Sequence, residues 1–413
     1  MKLYVFMDVD GRTIRVGQLF AEHRRGRLTS AFSYDNDYLS RRFAYAIDPA
    51  LPLNAGTWPV AGPLPRAFLD AAPDRWGRNL IVRQAELEAA ANHVLAHTLD
   101  ELDYLLGVSD ISRQGALRFS VSAHPVFERP NDDVPKLIQL PTLLGAVRRL
   151  AADDQYSDEA VKTLLDMGSA SLGGARPKAS VLDGQRMMIA KFGHPQDKWD
   201  HMAWEKTALD LAEIAEVEVP TRQLMDVEGS SVLLVDRFDR THDGRRLGYM
   251  SAMTLCEADY GEQLDYLQIA ERLAPISASP QEDLRQLWRR IVFGVAINNT
   301  DDHLRNHGFV RTRSGWRLSP AFDVNPDPIL SARHATSIGG EVLSSVAGTA
   351  AMEAVPYFGL NVNEAKAIVS AVYDAVRQWQ TVAVRNSLSE REISQFEPVF
   401  AQGLSTLETV LSG

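Results

Sequence analysis

Alternating apolar and polar residues at the start of the chain predict antiparallel strands, because a half-buried strand turns successive side chains to opposite faces. Two such runs, residues 3–7 and 13–20, flank Asp10-Gly11, a dipeptide typical of a two-residue hairpin turn. A Pro-rich crossing over residues 51–65 follows, and residues 68–90 carry mostly helix-forming side chains, broken locally by Pro73 and Gly77. We therefore expect a compact α+β unit in the first hundred residues.

Further along the chain, short apolar runs separated by glycine turns predict a second mixed sheet. The runs are residues 179–182, 187–192 and 232–235, and a helix-like stretch of residues 204–215 lies between the last two. Four prolines within residues 121–141 mark a turn-rich passage before this region. Such a passage is typical of a boundary between subdomains.

From residue 279 onward the pattern becomes helical. Ser279 as N-cap, Pro280 at the first helical position and Glu282 in a capping box predict where one helix begins. Residues 363–380 and 389–411 are predicted to form further helices of a terminal bundle. The helix that begins at residue 280 has apolar residues at the spacing of one buried face: Leu284, Leu287, Trp288, Ile291, Val292 and Val295.

These patterns predict an α+β fold in three parts. Residues 1–130 form an N-terminal α+β subdomain, residues 131–238 a second mixed sheet, and residues 239–413 a mostly helical domain. The helical domain carries the sharpest candidate chemistry, directly after its best-defined helix.

Composition narrows the possible functions. The 413 residues include 43 Lys and Arg against 54 Asp and Glu, a formal net charge of −11, which excludes an autonomous nucleic-acid binder held by bulk charge. A single cysteine, Cys256, excludes an internal disulfide and a Cys-rich metal site within one chain, and it favours a reducing compartment. An acid soon follows Lys2 and no run of about 18 apolar residues occurs, so we expect a cytoplasmic protein without a membrane span.

A loop of small residues ends in a cation and precedes a predicted strand. It covers residues 169–178, Ser-Ala-Ser-Leu-Gly-Gly-Ala-Arg-Pro-Lys. Backbone N–H groups that no side chain obstructs can hold phosphate oxygens at such a place. Two glycines are equally typical of a plain hairpin, so the loop by itself leaves both interpretations open.

Lys191 interrupts an apolar strand, Met-Ile-Ala-Lys-Phe, on the second arm of the same predicted hairpin. A lysine buried there needs an anionic partner, and nucleotide phosphates are one candidate. Glu205 on the following helix is a candidate to orient the ammonium, as a helix glutamate does for the strand lysine of protein kinases. The alternative is a plain surface lysine on an edge strand.

The third cluster is Thr300-Asp301-Asp302-His303-Leu304-Arg305-Asn306, followed by a short hairpin and then Ala321-Phe322-Asp323. Phosphoryl transfer needs a carboxylate beside the attacking hydroxyl and oxygen ligands that hold Mg²⁺ against the phosphates. Asp301 and Asn306 have the Asp-x-x-x-x-Asn spacing of a kinase catalytic loop, and Asp323 takes the place of a second metal ligand. The alternative is that these polar residues only close the preceding helix.

A rival interpretation uses His303 and His307, spaced i and i+4 near several carboxylates, as a metal centre for hydrolysis. The segment lacks the glutamate of the zinc-protease helix motif, and Gly308 ends any helix that would align the two rings. Phosphoryl transfer is therefore the favoured chemistry.

Together these motifs resemble the HipA-type serine/threonine kinase toxins of bacterial type II toxin–antitoxin systems. The likeness covers most of the chain and is carried by residues 68–75, 115–119, 171–178, 236–240, 300–306 and 320–324. The resemblance implies a two-lobed protein-kinase-like α+β fold, with a mixed-sheet N-lobe, a helical C-lobe and an extra N-terminal subdomain. It also implies ATP and Mg²⁺ as cofactors.

The same resemblance implies partners and an acceptor. The acceptor is a protein serine or threonine, for which aminoacyl-tRNA synthetases are the example in the family. The partner is a small helix-turn-helix antitoxin, and at a net charge of −11 we expect DNA contact only through that antitoxin.

The resemblance also implies residue roles. Asp301 is the catalytic base, Asn306 and Asp323 hold the metal, Glu205 orients the lysine, and Ser171 is the site of autophosphorylation. Nucleotide contacts are expected from a larger set: Leu172, Gly173, Gly174, Ala175, Arg176, Pro177, Lys178, Lys191, Asp236, Arg237, Phe238, His303 and Asn306.

Two positions depart from the family pattern. Asp302 doubles the carboxylates beside the base and is a candidate to share the metal or the proton, and Arg176-Pro177 adds charge and stiffness to the phosphate loop. Two other functions stay open at this point. One is a nucleotide-binding corepressor scaffold for an antitoxin, and the other is a small-molecule kinase.

Overall fold

The computed structural model describes residues 1–127, 134–152, 157–166 and 176–412. The chain forms two compact units. The first unit comprises Met1–Gln196 and Met225–Met250, and the second comprises Asp197–Leu224 and Ser251–Gly413. The proposed subdivision at residues 130 and 238 stays a prediction.

An antiparallel five-stranded sheet opens the first unit. Its strands are β1 (Lys2–Val9), β2 (Arg12–Arg24), β3 (Arg27–Tyr34), β4 (Trp58–Pro59) and β5 (Leu117–Ser120), in the order β4-β3-β2-β1-β5. The predicted hairpin is confirmed, because β1 pairs with β2 across Asp10 and Gly11, both at positive φ. Alternate residues Leu3, Val5 and Met7 are fully buried, so one face of β1 enters the core.

The described part of the first unit also contains the helices α1 (Asn36–Leu39), α2 (Arg66–Asp70), α3 (Arg75–Ala91), α4 (Glu101–Leu106), α5 (Leu140–Ala151) and α6 (Ser157–Asp166). The helical stretch predicted over residues 68–90 is present and divides into α2 and α3 at the predicted break near Pro73, whereas Gly77 lies within α3. Pro73 lies in the break, where its missing N–H costs no helical hydrogen bond.

The second predicted sheet is also confirmed. It contains β6 (Lys178–Asp183), β7 (Arg186–Phe192), β8 (Arg222–Val227) and β9 (Ser230–Asp236), in the order β6-β7-β9-β8, and the boundary between the units falls within β8. Within the first unit, α3, α5 and α6 share one apolar core with this sheet, where Phe192 is fully buried.

Helices dominate the second unit, as predicted. They are α7 (His201–Ile214), α8 (Ala252–Leu255), α9 (Tyr266–Leu273), α10 (Pro280–Ala296), α11 (Ser344–Glu353), α12 (Val362–Val376), α13 (Trp379–Arg385) and α14 (Glu390–Ser412). The remaining strands are short: β10 (Tyr249–Ser251) at the unit boundary, then β11 (Gly308–Arg311), β12 (Trp316–Leu318), β13 (Arg333–Ile338) and β14 (Glu341–Leu343). No helix among the described residues is both long and apolar enough to cross a membrane.

The central helix α10 begins at Pro280, as predicted, but the predicted capping box is wrong. Ser279 makes no side-chain cap bond, and Glu282 is exposed. Ser277 substitutes for it, because its hydroxyl accepts from Ser279 N at 2.9 Å and donates to the buried Asp283 carboxylate at 2.5 Å. The contact depends on a residue two positions before the N-cap, which the local motif does not include.

The terminal bundle differs from the prediction at one place. The single helix expected over residues 363–380 stops at Val376, and α13 starts separately at Trp379. Trp379 stacks on Phe400 of α14 with the ring centroids 4.3 Å apart. Packing of this ring against a distant helix, rather than local helix propensity, explains the turn.

Candidate functional site

The candidate catalytic loop begins where α10 ends. Asn298 follows the C-cap Ile297 and takes a left-handed backbone with φ +55°, a conformation that asparagine adopts more readily than most residues. Its Nδ2 donates to Asp327 O at 2.7 Å, and its Oδ1 accepts from Ser344 Oγ at 2.8 Å. One buried amide thus joins the helix end to two later segments of the chain.

Further hydrogen bonds hold the loop itself. Thr300 Oγ1 donates to Asp327 Oδ2 at 2.7 Å, and Ala335 N donates to Thr300 O at 2.8 Å. Thr336 Oγ1 donates to Asp302 O, also at 2.7 Å. Since these partners come from residues 327–336, the loop is held on a folded scaffold rather than only by its own turn.

Asp301 and Asn306 are in contact within the loop. Asn306 Nδ2 donates to Asp301 O at 3.0 Å, and Asn306 N donates to His303 O at 2.8 Å within a single 3-10 turn, Leu304–Asn306. The Asn306 side chain is buried while Asp301 and His303 are exposed. The Nδ2 group of Asn306 therefore faces the loop backbone, and Oδ1 is the side-chain atom that can bind a cation.

Asp323 lies close to this loop. Desolvation raises the pKa of Asp301, and the charges of Asp323, Asp302 and Asp327 raise it further against the opposing effect of His303. Asp323 also has a left-handed backbone, with φ +58°. A non-glycine residue in that region stores strain, and such residues cluster at functional sites.

Asp302 differs from its neighbour Asp301 because its carboxylate turns into the protein. The Tyr266 hydroxyl donates to Asp302 Oδ2, and His307 Nε2 lies 3.2 Å from the same atom. Burial would raise the pKa of Asp302, but His307, Tyr266 and His303 together hold it below its usual value. Asp302 is thus occupied by internal contacts, and Asp301 presents the carboxylate that a substrate can reach.

The carboxylate and amide oxygens at this place fit Mg²⁺ in their chemistry. Asp323 and Asn306 offer hard oxygen donors, and the gathered carboxylates that raise the pKa of Asp301 make the site negative. Within the described ranges, no cluster of three or more His, Cys, Asp or Glu residues is arranged to hold a metal by itself. Magnesium in phosphoryl-transfer sites commonly uses one or two protein ligands and completes its shell with water and phosphate oxygens.

In the first unit, Lys178 and Lys191 face each other across the β6–β7 hairpin. They are register partners, and both are buried, with exposed fractions of 6% and 7%. Directly opposed residues share one face of the sheet, so two like charges lie side by side there. Phosphate binding by the two lysines stays a prediction.

Residues 237–240, which follow β9, form buried ion pairs and hydrogen bonds that the sequence did not predict. The Arg237 guanidinium donates to both carboxylate oxygens of Asp239 at 2.9 and 2.7 Å, and to Ser112 O at 2.6 Å. Arg240 donates to the same carboxylate at 2.7 Å and to Arg113 O at 2.7 Å. These buried contacts tie the segment to residues 112–115 and engage the Arg237 side chain, and the nucleotide contact of Arg237 stays a prediction.

The other residues that are predicted to contact the nucleotide each have a different neighbour within the first unit. Asp236 pairs with Arg186 at 2.5 Å, and Phe238 packs beside Tyr249 with the ring centroids 6.1 Å apart. Pro177 is buried, and its carbonyl accepts from Phe192 N at 3.0 Å.

The remaining predicted site residues are Arg176, Glu205 and the first part of the phosphate loop. Arg176 is half-buried at the end of the predicted phosphate loop, and Glu205 is buried on α7 of the second unit. The predicted site of autophosphorylation and the first part of the loop lie outside the described residues: Ser171, Leu172, Gly173, Gly174 and Ala175.

Sequence reasoning did not identify the residues that support the loop. Asp327 had a weak signal, since it stands between two prolines where a carboxylate is well placed to cap a turn. Tyr266 had none, because a lone tyrosine on an amphipathic helix is indistinguishable from many surface residues.

Comparisons with known proteins agree on one family. The family described as "HipA-like C-terminal domain" matches residues 170–379, and "HipA N-terminal domain" matches residues 7–102. No curated protein matches the sequence significantly.

Two solved structures are similar to this chain to different degrees. The HipA–HipB–operator DNA complex of the toxin–antitoxin system of Shewanella oneidensis MR-1 is similar with a TM-score of 0.66 at 16% identity, over 99% of this chain and 97% of that one. The proinflammatory kinase CtkA of Helicobacter pylori has a TM-score of 0.44 at 12% identity, over 57% of this chain and 93% of that one. The expected α+β fold is confirmed as that of HipA. Since the matched C-terminal domain alone covers more than half of the 413 residues, the chain belongs to the HipA family.

Proposed function

We propose that this HipA-family protein is an ATP- and Mg²⁺-dependent protein serine/threonine kinase. The observation that carries the proposal is the arrangement of Asp301, Asn306 and Asp323 on one supported loop system, with an accessible carboxylate beside two oxygen donors. Family membership supports the kinase class.

Each of these residues has a distinct task in the proposed reaction. Asp301 accepts or orients the proton of the acceptor hydroxyl, and its raised pKa suits a group that must take up a proton near a negative site. Asn306 Oδ1 and the Asp323 carboxylate would hold Mg²⁺, which neutralises charge on the transferred phosphoryl group. Lys178 and Lys191 bind phosphate oxygens from the β6–β7 hairpin. Catalysis then rests on positioning and charge neutralisation, without a covalent nucleophile.

The experiment is a transfer assay with labelled ATP, Mg²⁺ and a cell extract, comparing the wild type with Asp301→Asn. The wild type should label a protein, and Asp301→Asn should lower the rate by about 10²- to 10⁴-fold, the usual contribution of a general base. Label found only on small molecules would favour a small-molecule kinase. Nucleotide binding without any transfer would favour a corepressor scaffold.

We also propose that the chain is the toxin of a toxin–antitoxin pair. The Shewanella HipA structure is a complex with HipB and operator DNA, which supports a small antitoxin as partner here. With a net charge of −11, tight DNA contact would come through that partner. Expression of the wild type alone should slow growth, Asp301→Asn should not, and purification from the native host should recover a small basic protein.

A further inference from the structure

Arg290 of α10 is a buried cation with unused donors. The residue has an exposed fraction of 7%, and Nη2 donates to Ser319 O. Nε and Nη1 have no hydrogen-bond partner in the described structure. Burial lowers the pKa of Arg290 to about 10, so the group stays charged at neutral pH, where an unpaired charged donor is costly.

His307 presents a second set of unused polar atoms beside Arg290. Nδ1 and Nε2 are both buried, and neither makes an aligned hydrogen bond, although Nε2 lies 3.2 Å from Asp302 Oδ2. The ring meets Tyr266 edge-on, at 5.4 Å between centroids. Buried polar groups in folded proteins nearly always find a partner, in protein or in ordered water.

Both residues line the same small cavity. Its volume is about 20 Å³, and Asn299, Asp302 and Asn306 contribute to its wall. A buried water needs a cavity of about 10–15 Å³ and two to four polar partners. This cavity satisfies both conditions. The water would accept from Arg290 and donate to a ring nitrogen of His307.

We propose that this cavity holds one buried water, and that Arg290 uses it to set the separation between the two segments that carry Asn306 and Asp323. Arg290 bonds directly to Ser319, four residues before Asp323, and through the water to the loop that ends in His307. Arg290 is therefore a positioning residue, and its effect on metal binding rests on the proposed function. The presence of the water in the cavity does not depend on that function.

Arg289, the neighbouring residue, provides a matched control. It is similarly buried on the same helix, but its Nη1 donates to Ala215 O at 2.7 Å and lies 2.7 Å from Glu216, away from the loop. Replacement of either arginine by glutamine removes a buried guanidinium from α10. Only Arg290→Gln removes the link between Ser319 and the loop.

The first test is a crystal structure of the full chain at about 1.8 Å or better. Density for a water within about 3.2 Å of Arg290 and of His307 supports the site, and an empty cavity overturns it. Amide hydrogen exchange without nucleotide gives a second readout. Exchange in residues 301–307 and 319–324 should accelerate in Arg290→Gln and stay unchanged in Arg289→Gln.

The second test measures ATP binding by calorimetry with Mg²⁺ and with EDTA. Arg290→Gln should reduce the Mg²⁺-dependent gain in affinity by about tenfold or more, equivalent to about 1.4 kcal/mol, and Arg290→Lys should restore part of it. Arg289→Gln should keep the wild-type ratio even if its melting temperature falls equally. An unchanged ratio in Arg290→Gln overturns the positioning role. If the wild type shows no Mg²⁺-dependent ATP binding, both that role and the proposed function are overturned. The presence of the buried water is tested separately, by the electron density of the crystal structure.

Discussion

Replacing Asp302 by alanine should destabilise the protein strongly, whereas Asp301→Ala should leave its stability almost unchanged. Asp302 is half-buried and accepts from the hydroxyl of the buried Tyr266, and its carboxylate lies opposite the buried His307, while Asp301 is accessible to solvent. Removing one member of a buried charged network leaves the others unpaired, which costs about 3–5 kcal/mol. Surface substitutions usually change stability by less than about 0.5 kcal/mol.

These free energies translate into a measurable difference in melting temperature. For a unit of about 150–250 residues, 1 kcal/mol shifts Tm by about 2–4 °C. Asp302→Ala should therefore lower Tm by roughly 6–20 °C, and Asp301→Ala by no more than about 2 °C. If Asp302→Ala does not fold, Asp302→Asn and Tyr266→Phe provide smaller perturbations of the same cluster, because each removes only one of its interactions.

Differential scanning calorimetry and the phosphoryl-transfer assay on the same preparations separate the two carboxylates. Asp301→Ala should be stable and inactive, and Asp302→Asn should be less stable but retain measurable transfer. Equal losses of Tm in the two alanine variants would refute the burial argument. Wild-type transfer by Asp301→Ala would refute its assignment as the base.

Three further outcomes are expected. Asp323→Ala should abolish the Mg²⁺-dependent part of ATP binding, measured by calorimetry, while Asp301→Ala changes nucleotide affinity only a few-fold. Mass spectrometry after incubation with Mg-ATP should find phosphate on the peptide that contains Ser171 in the wild type and none in Asp301→Ala; the added charge of about −1.5 to −2 beside the phosphate loop should weaken ATP binding. Arg237 and Arg240 outweigh the effect of burial and hold the pKa of Asp239 well below its ordinary value of 3.8, so this stabilisation is complete above pH 3.8 and declines as the pH falls below it. Acid titration of unfolding should accordingly be shallower for Asp239→Asn than for the wild type.

Local patterns sufficed for much of the architecture. The β1–β2 hairpin follows from alternation around Asp10-Gly11, and the start of α10 follows from Pro280 and a clear apolar stripe. Both depend on interactions between residues close in sequence. The spacing of Asp301 and Asn306 belongs to the same class, because the turn that joins them is only one 3-10 turn long.

Tertiary structure determines differences between residues that short-range sequence patterns cannot distinguish. Asp301 and Asp302 are the same residue type at adjacent positions, and only the arrival of Tyr266 and His307 makes one of them internal. Asp327 holds the loop from a segment 27 residues downstream of its partner Thr300. The buried Arg237 likewise bonds to a carbonyl 125 residues away. A hydrogen bond between such distant positions leaves no period or spacing in the sequence, since chain folding alone determines which side chain meets which.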